Sequence, residues 1–238
     1  MAKKNNWTMK TAAVLTALVL ITSCFVGSTF AKYVTSKSGS DSARVAKFGV
    51  TIIGSSGMFD KTYTTHDGSF TIAASSVVSS DEDKLVAPGT SKKLGSFAMT
   101  GTPEVAVRVS YNADTFSLTN WTTGNEEYCP LVFTVAGEEF KIGGKDKLDQ
   151  DISNVQALEN AVKFAIQNYS QNYPAGTDLS TKTSENLSVS WAWQFEDETE
   201  GAYQTNAKDT ALGNRAATNK DEAGKIDFKV TMTVTQID

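Results

Sequence analysis

The chain has 238 residues, of which 40% are hydrophobic and 21% are charged, a composition typical of a globular protein rather than a disordered one. Its 22 basic and 27 acidic residues give a formal net charge of -5, which argues against nucleic-acid binding through a basic face. Two cysteines and a single histidine exclude a disulfide framework, a four-ligand Cys/His zinc site and a two-histidine metalloprotease helix.

The first 31 residues have the pattern of a secretory signal peptide. A basic start with three lysines precedes an apolar run over 11–26, and small residues then predict cleavage between Ala31 and Lys32. The run is shorter and more polar than the ~20 apolar residues that a membrane-spanning helix needs. Two alternatives stay open: an uncleaved membrane anchor, and a lipoprotein signal in which Cys24 is lipidated.

The predicted mature chain is acidic and begins with a polar segment. Removing the first 31 residues removes three of the 22 basic residues and none of the 27 acidic ones, which leaves a formal charge of -8. It also leaves Cys129 as the sole cysteine, so an intramolecular disulfide is excluded. The serine-rich segment 32–44 is predicted to be flexible, and the folded domain is expected to span 45–238.

Much of the mature chain alternates between apolar and polar residues, which predicts strands with one buried and one solvent-exposed face. The clearest alternation covers 48–52, 104–111, 187–195 and 226–235. Weaker candidates lie at 58–63, 69–74, 93–99, 115–119, 131–136 and 138–142. These strands predict a mainly β fold, an antiparallel two-sheet β-sandwich with one amphipathic helix.

The one helical pattern lies at about 153–168, where apolar residues recur at the spacing of a helix face. Ser153 and Gln156 have the spacing of a capping box at its start. The Asn-Tyr-Pro-Ala-Gly run at 172–176 supplies the stop. The sequence therefore predicts an amphipathic helix of about 15 residues that packs on the sheets.

A polar and charged stretch over about 196–224 predicts a long surface loop. Within this loop, residues 209–213 are predicted to form a turn that holds the loop against the domain. Leu212 is expected to dock into the core, and Gly213 is expected to take a positive φ.

The chain lacks the pattern of a catalytic or cofactor site, and no cofactor or metal ion is predicted. His66 lies in a predicted hairpin turn, whereas a zinc site needs three protein ligands. Cys129 precedes a predicted strand and is expected to be a buried thiol rather than a nucleophile. The acidic runs 81–83, 146–151 and 196–198 lack EF-hand spacing and are predicted to be solvated loops, with calcium binding as the alternative. A carboxylate pair of the glycosidase type also stays open.

Three aromatic residues, Trp191, Trp193 and Phe195, share the apolar phase of one predicted strand. This phase predicts that their side chains lie in the core, because alternate residues of a strand point to the same face. The alternative is a carbohydrate-binding platform formed by the same three rings.

Several strings of residues resemble a known group of exported bacterial proteins. Ser28–Tyr33 and Asp41–Phe48 look like the junction that follows signal peptides of the SipW type. Similar strings continue along the chain at Val86–Thr90, Gly101–Val105, Tyr128–Phe133, Trp191–Trp193, Asp209–Gly213 and Thr233–Gln236. The chain thus resembles the TasA/camelysin (CalY) family of Gram-positive bacteria over nearly its whole length.

The resemblance implies a TasA-like jelly roll, export through a dedicated signal peptidase of the SipW type, and membrane contact only before processing. The implied function is a secreted, non-enzymatic subunit of extracellular matrix, biofilm or surface fibres, with further copies of the same chain as partners. After cleavage, the segment with Lys32, Tyr33, Val34 and Ser42 is predicted to add as a donor strand to a neighbouring copy. Two other functions stay open: a monomeric adhesin or carbohydrate-binding module, and a camelysin-like metallopeptidase.

Overall fold

The computed structural model describes residues 44–54, 57–63, 77–81, 83–194 and 202–237, together with residues 12 and 14–16. Two compact units, Met1–Ala46 and Lys47–Asp238, make up the chain. In the first unit, the described residues near the N-terminus are helical and exposed. No helix in the described part of the chain combines the length and the apolar content needed to cross a membrane.

The residues predicted to act in export and assembly fall outside the described part of the chain. They are Cys24, Ala31, Lys32, Tyr33, Val34 and Ser42. Signal-peptide cleavage, lipidation and donor-strand exchange therefore stay predictions from the sequence.

The second unit is mainly β, and its sheets are antiparallel. Its described strands are β1 (Thr51–Ile53), β2 (Thr62–Tyr63), β3 (Val77–Val78), β4 (Ser91–Lys93), β5 (Ala98–Thr100), β6 (Val107–Thr119), β7 (Thr122–Thr123), β8 (Glu126–Glu127), β9 (Leu131–Val135), β10 (Glu138–Phe140), β11 (Ser170–Tyr173), β12 (Val189–Trp193) and β13 (Lys225–Gln236). Its described helices are α1 (Val155–Gln167) and α2 (Ala202–Thr218), with 3-10 helices at Leu179–Glu185 and Lys220–Glu222. A four-stranded sheet has the order β10-β9-β12-β4, and a three-stranded sheet has the order β11-β6-β13. The pairs β1–β5, β2–β3 and β7–β8 form smaller sheets.

Strands β6 and β13 pair with each other over their whole lengths. The side chains of β6 alternate between buried and exposed up to Ala113, and the alternation resumes at Phe116 shifted by one residue. Asp114 causes this shift, because its two neighbours pair with consecutive residues of β13 and it has no residue opposite. The prediction of separate strands at 104–111 and 115–119 is therefore wrong: the bulge reverses the phase within one continuous strand.

An aromatic contact joins the two larger sheets. The Phe116 ring of β6 packs edge-on against Phe133 of β9, with ring centroids 5.0 Å apart, and both side chains are buried. Helix α1 contacts β6 and β9, and its Glu159 Oε1 accepts a hydrogen bond from the Leu118 backbone N–H at 2.7 Å. The hydrophobic core therefore combines residues of both sheets with the apolar face of α1.

The predicted helix is α1, but its N-cap differs from the expected one. The side chain of Asn154 accepts a hydrogen bond from the Ala157 backbone N–H at 2.8 Å, which satisfies a free donor of the first turn. The capping box predicted from Ser153 and Gln156 is therefore wrong. Ser153 and Asn154 are neighbours, and both residue types are good N-caps, so the sequence alone does not decide which of the two caps the helix.

Helix α2 occupies Ala202–Thr218, where the sequence predicts part of a long loop over 196–224. This helix has only a narrow apolar stripe among polar and charged residues. Its apolar residues are therefore too few to show a helical spacing in the sequence. Leu212 is buried, as predicted. Gly213 lies inside the helix without a positive φ, so the turn predicted at 209–213 is wrong.

Two further strand predictions differ from the structure. Strand β1 begins only at Thr51, and the described residues directly before it, 44–50, are not in a strand. Phe48 and Ile52 alternate with polar neighbours yet are exposed, so this alternation does not mark a buried face. The candidate at 93–99 belongs to two strands, β4 and β5, and the candidate at 69–74 lies outside the described residues.

Candidate functional site

A groove of about 810 Å³ lies between the residues 78–81 and 83–88, helix α2 and the residues 220–227. Apolar side chains form much of its lining. They include Phe59, Leu85, Trp121, Trp193, Leu212 and Ile226. A cleft of this volume, lined by apolar side chains together with charged ones, is large enough to hold a small ligand. The groove is therefore the candidate site of this chain.

Two tryptophan rings close the floor of the groove. Trp121 and Trp193 contact each other edge to face, with ring centroids 5.6 Å apart, and neither is more than 5% exposed. The Trp121 Nε1 donates a hydrogen bond to the Lys225 carbonyl oxygen at 3.0 Å. A Cβ on Gly224 would lie 3.0 Å from the Trp121 ring, so the backbone covers this ring closely. Both rings are thus too buried to serve as a stacking platform for a sugar.

The aromatic residues predicted on one strand phase lie in the core of the domain. Trp191 and Trp193 of β12 are 1% and 5% exposed, which confirms the core prediction for these two residues. Their burial is the reason that the carbohydrate-platform alternative does not fit them. Phe195 lies outside the described residues.

Helix α2 places a carboxylate at the buried side of the groove. Asp209 is 9% exposed, and its Oδ1 accepts a hydrogen bond from the Tyr128 hydroxyl at 2.8 Å. Burial raises the pKa of Asp209, and the Tyr128 hydroxyl and the Trp193 indole N–H offset part of this rise. The indole N–H of Trp193 approaches the carboxylate but does not reach hydrogen-bond geometry, and it has no other partner among the described residues. The carboxylate and the indole N–H thus lie side by side in the interior of the domain.

Arg215 attaches α2 to the hairpin of β7 and β8. Its guanidinium donates to the Thr122 carbonyl oxygen at 2.7 Å, to the Thr122 hydroxyl at 2.8 Å and to the Asn120 carbonyl oxygen. No local pattern in the sequence marks Arg215, Asp209 or Trp121 as site residues. Their contacts join parts of the chain that are far apart in sequence, and such contacts leave no local pattern.

The rim of the groove carries more acidic than basic side chains. The described aspartates that line it are Asp81, Asp83, Asp209, Asp221 and Asp227, and the described lysines are Lys84, Lys220 and Lys225. Lys220 forms an ion pair with Asp81 and lies 3.7 Å from Asp83. The hydrogen bond from Lys220 lowers the pKa of Asp81. The surplus of negative charge favours a cationic ligand over an anionic one.

Cys129 is buried, as predicted, and burial raises its pKa to about 12. The residue lines a small cavity of about 30 Å³, with room for no more than about one water molecule. Because the thiolate is the nucleophilic form, a thiol with this pKa is a structural group rather than a catalytic one at neutral pH.

We expect Cys129 to resist alkylation while the chain is folded. At pH 8 a thiol with a pKa of about 12 is almost wholly protonated, and its burial also blocks the reagent. The rate of iodoacetamide labelling of residues 32–238, followed by mass spectrometry, should rise by orders of magnitude when the chain is unfolded in urea. Equal rates with and without urea would show that the thiol is accessible and reactive.

The carboxylates of Asp146 and Asp151 in the acidic loop 146–151 bind groups of the same loop and its neighbour Lys145. Asp146 accepts hydrogen bonds from two backbone N–H groups of its own loop, and Asp151 pairs with Lys145 at 2.9 Å. No group of three or more His, Cys, Asp or Glu side chains that could hold a metal ion occurs among the described residues. The other candidates, His66 and 196–198, lie outside these residues.

Strand β13 lies at the edge of the three-stranded sheet, and no described residue pairs with its outer side. The Ile237 N–H donates to the Ala106 carbonyl oxygen at 3.0 Å, toward β6. Because an antiparallel ladder alternates, the backbone groups of Met232, Val234 and Gln236 point away from β6. An edge of this kind is an open site for pairing with another strand.

No protein-family model matches the chain, and neither a curated protein nor a solved structure matches it.

Proposed function

We propose that the protein is an exported, non-enzymatic structural subunit that assembles with further copies of itself in extracellular matrix or surface fibres. The observation that carries the proposal is the outer edge of β13, whose backbone groups can pair with a strand from another copy. The signal-peptide pattern of the first 31 residues supports export. The resemblance to the TasA/camelysin family supports a role in fibres.

In this proposal, the two larger sheets are the layers of a jelly-roll-like β-sandwich. The contact between Phe116 of one sheet and Phe133 of the other supports this arrangement, since sandwich layers interdigitate their inner side chains. A sandwich, unlike a closed barrel, leaves an edge strand at the border of each sheet, and β13 occupies one such border.

The proposed assembly joins the segment Lys32–Ser42 of one copy to β13 of the next. The signal peptidase, of the SipW type by resemblance, would free this segment by cutting after Ala31. The extra residue of the bulge, Asp114, lies on β6, whereas β13 alternates without a break, so the free edge that can accept a strand runs along β13 and includes the stretch from Thr231 to Gln236. Such a contact is heterologous, and it builds an open filament when the rotation between copies does not close a ring.

Fibre formation by two chains, 32–238 and 43–238, tests this proposal. Sedimentation and negative-stain microscopy should reveal fibres of the longer chain, whereas the shorter chain should stay folded and monomeric. Equally fast polymerisation of both chains would rule out the N-terminal segment as the donor. A stable monomer of the longer chain that binds glycans would favour an adhesin, and proteolysis abolished by a chelator would favour a metallopeptidase.

A pair of variants in β13 tests the acceptor edge. Val234→Pro removes an N–H that points away from β6, so it should block fibres and leave the pairing with β6 intact. Val234→Ala is the matched control, since it shortens the same side chain but keeps the N–H. Fibres from the proline variant at the normal rate would place the acceptor edge elsewhere.

A further inference from the structure

Strand β1 and the residues directly before it expose apolar side chains that lie close together in the chain. Phe48, Ile52 and Ile53 are 41%, 40% and 54% exposed. The other large apolar side chains that are exposed in the described part of the second unit lie singly, at Val78, Leu148 and Phe164. A cluster of exposed apolar residues, unlike single ones, indicates a surface that contacts another chain.

The backbone of the same segment has one free side. On the inner side, β1 pairs with β5, and the Glu104 N–H donates to the Lys47 carbonyl oxygen at 2.8 Å. No described strand pairs with the outer side of β1. Backbone donors and acceptors therefore lie free beside Ile52 and Ile53, and such an edge can pair with another strand.

The alternation of apolar and polar residues over 48–52 has no purpose within a single copy, because Phe48 and Ile52 are exposed. Edge strands that stay unpaired are usually protected by charged side chains or proline. The segment 48–54 contains neither, since its sequence is Phe-Gly-Val-Thr-Ile-Ile-Gly. An apolar edge without such protection is explained if another chain covers it.

We propose that β1 pairs with β1 of a second copy, antiparallel and around a two-fold axis. The two-stranded sheet of β1 and β5 then becomes a four-stranded sheet with the order β5-β1-β1-β5. Ile52 and Ile53 of one copy pack against the same strand of the other copy, on both faces of the new sheet. Repeated along the proposed filaments, this contact joins two filaments side by side.

A second β1 fits this edge better than the edges of the two larger sheets do. Ile52 and Ile53 point to opposite faces of their strand, so the partner strand must be apolar on both faces. The edge strands of the larger sheets instead carry polar or charged side chains on at least one face. Examples are Lys92 and Lys93 of β4, Glu138 and Glu139 of β10, Ser170 and Asn172 of β11, and Lys229, Thr231 and Thr233 of β13.

The charges near β1 also permit this pairing. Lys47 is the sole charged residue of the segment 47–54. An antiparallel pair centred on Ile52 places the two copies of Lys47 at opposite ends, about 30 Å apart at ~3.3 Å per residue. This separation is several times the Debye length of about 8 Å at physiological salt, so the two lysines do not repel each other appreciably.

The contact is too small to hold two free copies together. Phe48, Ile52 and Ile53 are only about half exposed, and three such side chains fall well short of the ~800 Å² per partner of a standard interface. Between two filaments the contact is repeated, and each pairing raises the effective concentration for the next. The side-by-side association therefore rests on the proposed function, whereas the pairing itself does not.

Disulfide trapping tests the pairing on the chain 32–238 at a concentration below that of fibre formation. Thr51→Cys, Ile52→Cys and Ile53→Cys place a thiol at exposed positions that a two-fold antiparallel pair brings close to their counterparts. The native Cys129 is buried and does not compete. In a glutathione buffer, at least one of these variants should form a cross-linked dimer, measured by non-reducing electrophoresis.

Val78→Cys and Leu148→Cys are the matched controls, because these residues are apolar and 63% and 60% exposed. They report the dimer that forms by random collision. The best of the three β1 variants should give at least tenfold more dimer than either control. Dimer yields no higher in β1 than in the controls would overturn the proposal.

Lysine at position 53 tests the side-by-side association, since a charge on an edge strand prevents pairing. Negative-stain microscopy should show single filaments of Ile53→Lys and paired filaments of the control Leu148→Lys, with equal amounts of polymer. Paired filaments of Ile53→Lys would overturn the proposal. If the chain 32–238 forms no filaments, the proposed function fails, but the disulfide yields still decide whether β1 pairs with β1.

Discussion

Replacement of Trp191 by alanine is expected to lower the free energy of unfolding by about 3–5 kcal/mol. The ring is 1% exposed and packs against Phe59 and Tyr63, with centroid distances of 5.6 and 6.0 Å. Its Nε1 also donates to the Met58 carbonyl oxygen at 2.8 Å, so the substitution leaves a cavity and an acceptor without its donor. Urea unfolding of the chain 32–238, followed by circular dichroism, measures the loss.

Val78→Ala is the control for this experiment, because Val78 is 63% exposed in the neighbouring segment. Its effect should stay within about 0.5 kcal/mol. A loss of less than about 1 kcal/mol for Trp191→Ala would mean that the ring does not fill the core. Trp191→Phe keeps part of the ring volume but not the indole donor, and should fall between the two.

The second large effect is expected at Gly101, where alanine should cost about 3 kcal/mol or more. Gly101 has a φ of 119°, a conformation that other residues rarely adopt, and a Cβ there would overlap the carbonyl oxygen of Gly49. Because the obstacle is backbone, no side-chain movement relieves it. The pairing of β1 with β5 should weaken, and limited proteolysis should cut the segment before β1 faster.

Gly124 offers a matched control for the substitution. It also has a positive φ, 61°, but an added Cβ would meet no atom within 4 Å. Gly124→Ala should therefore cost only about 1 kcal/mol, the strain of the left-handed conformation alone. Equal losses at both glycines would show that the close approach to Gly49 does not contribute.

The sequence predicted elements best where one face is buried, as in α1, or half-buried, as in β13. The alternation at 226–235 and the helical period near 153–168 led to β13 and α1 because burial imposes a regular spacing on apolar residues. The same rule failed at Phe48 and Ile52, which alternate without burial. It also failed at Asp114, where one extra residue reverses the phase of β6.

The candidate site was less predictable than the fold. The groove depends on α2, but the polar composition of 196–224 led to the prediction of a loop there. It also depends on contacts between distant residues, such as the hydrogen bond from Tyr128 to Asp209, which are 81 positions apart in the sequence. Burial of Cys129 was predictable, because its neighbours belong to one local strand pattern. The approach of the Trp193 indole N–H to the buried Asp209 carboxylate arises only from tertiary packing.

Helix α2 is held by few contacts, so the free energy of local unfolding should be lower for this helix than for the sheets of the domain. Leu212 and Asp209 are the buried residues of α2 in the described part of the chain, and Arg215 joins the helix to the hairpin of β7 and β8 by hydrogen bonds. Elements with so few buried contacts open as separate cooperative units, at a lower free energy than global unfolding. Amide protons of α2 should therefore exchange with solvent before those of β6 and β9. Any ligand of the groove would slow that exchange by binding only the closed form.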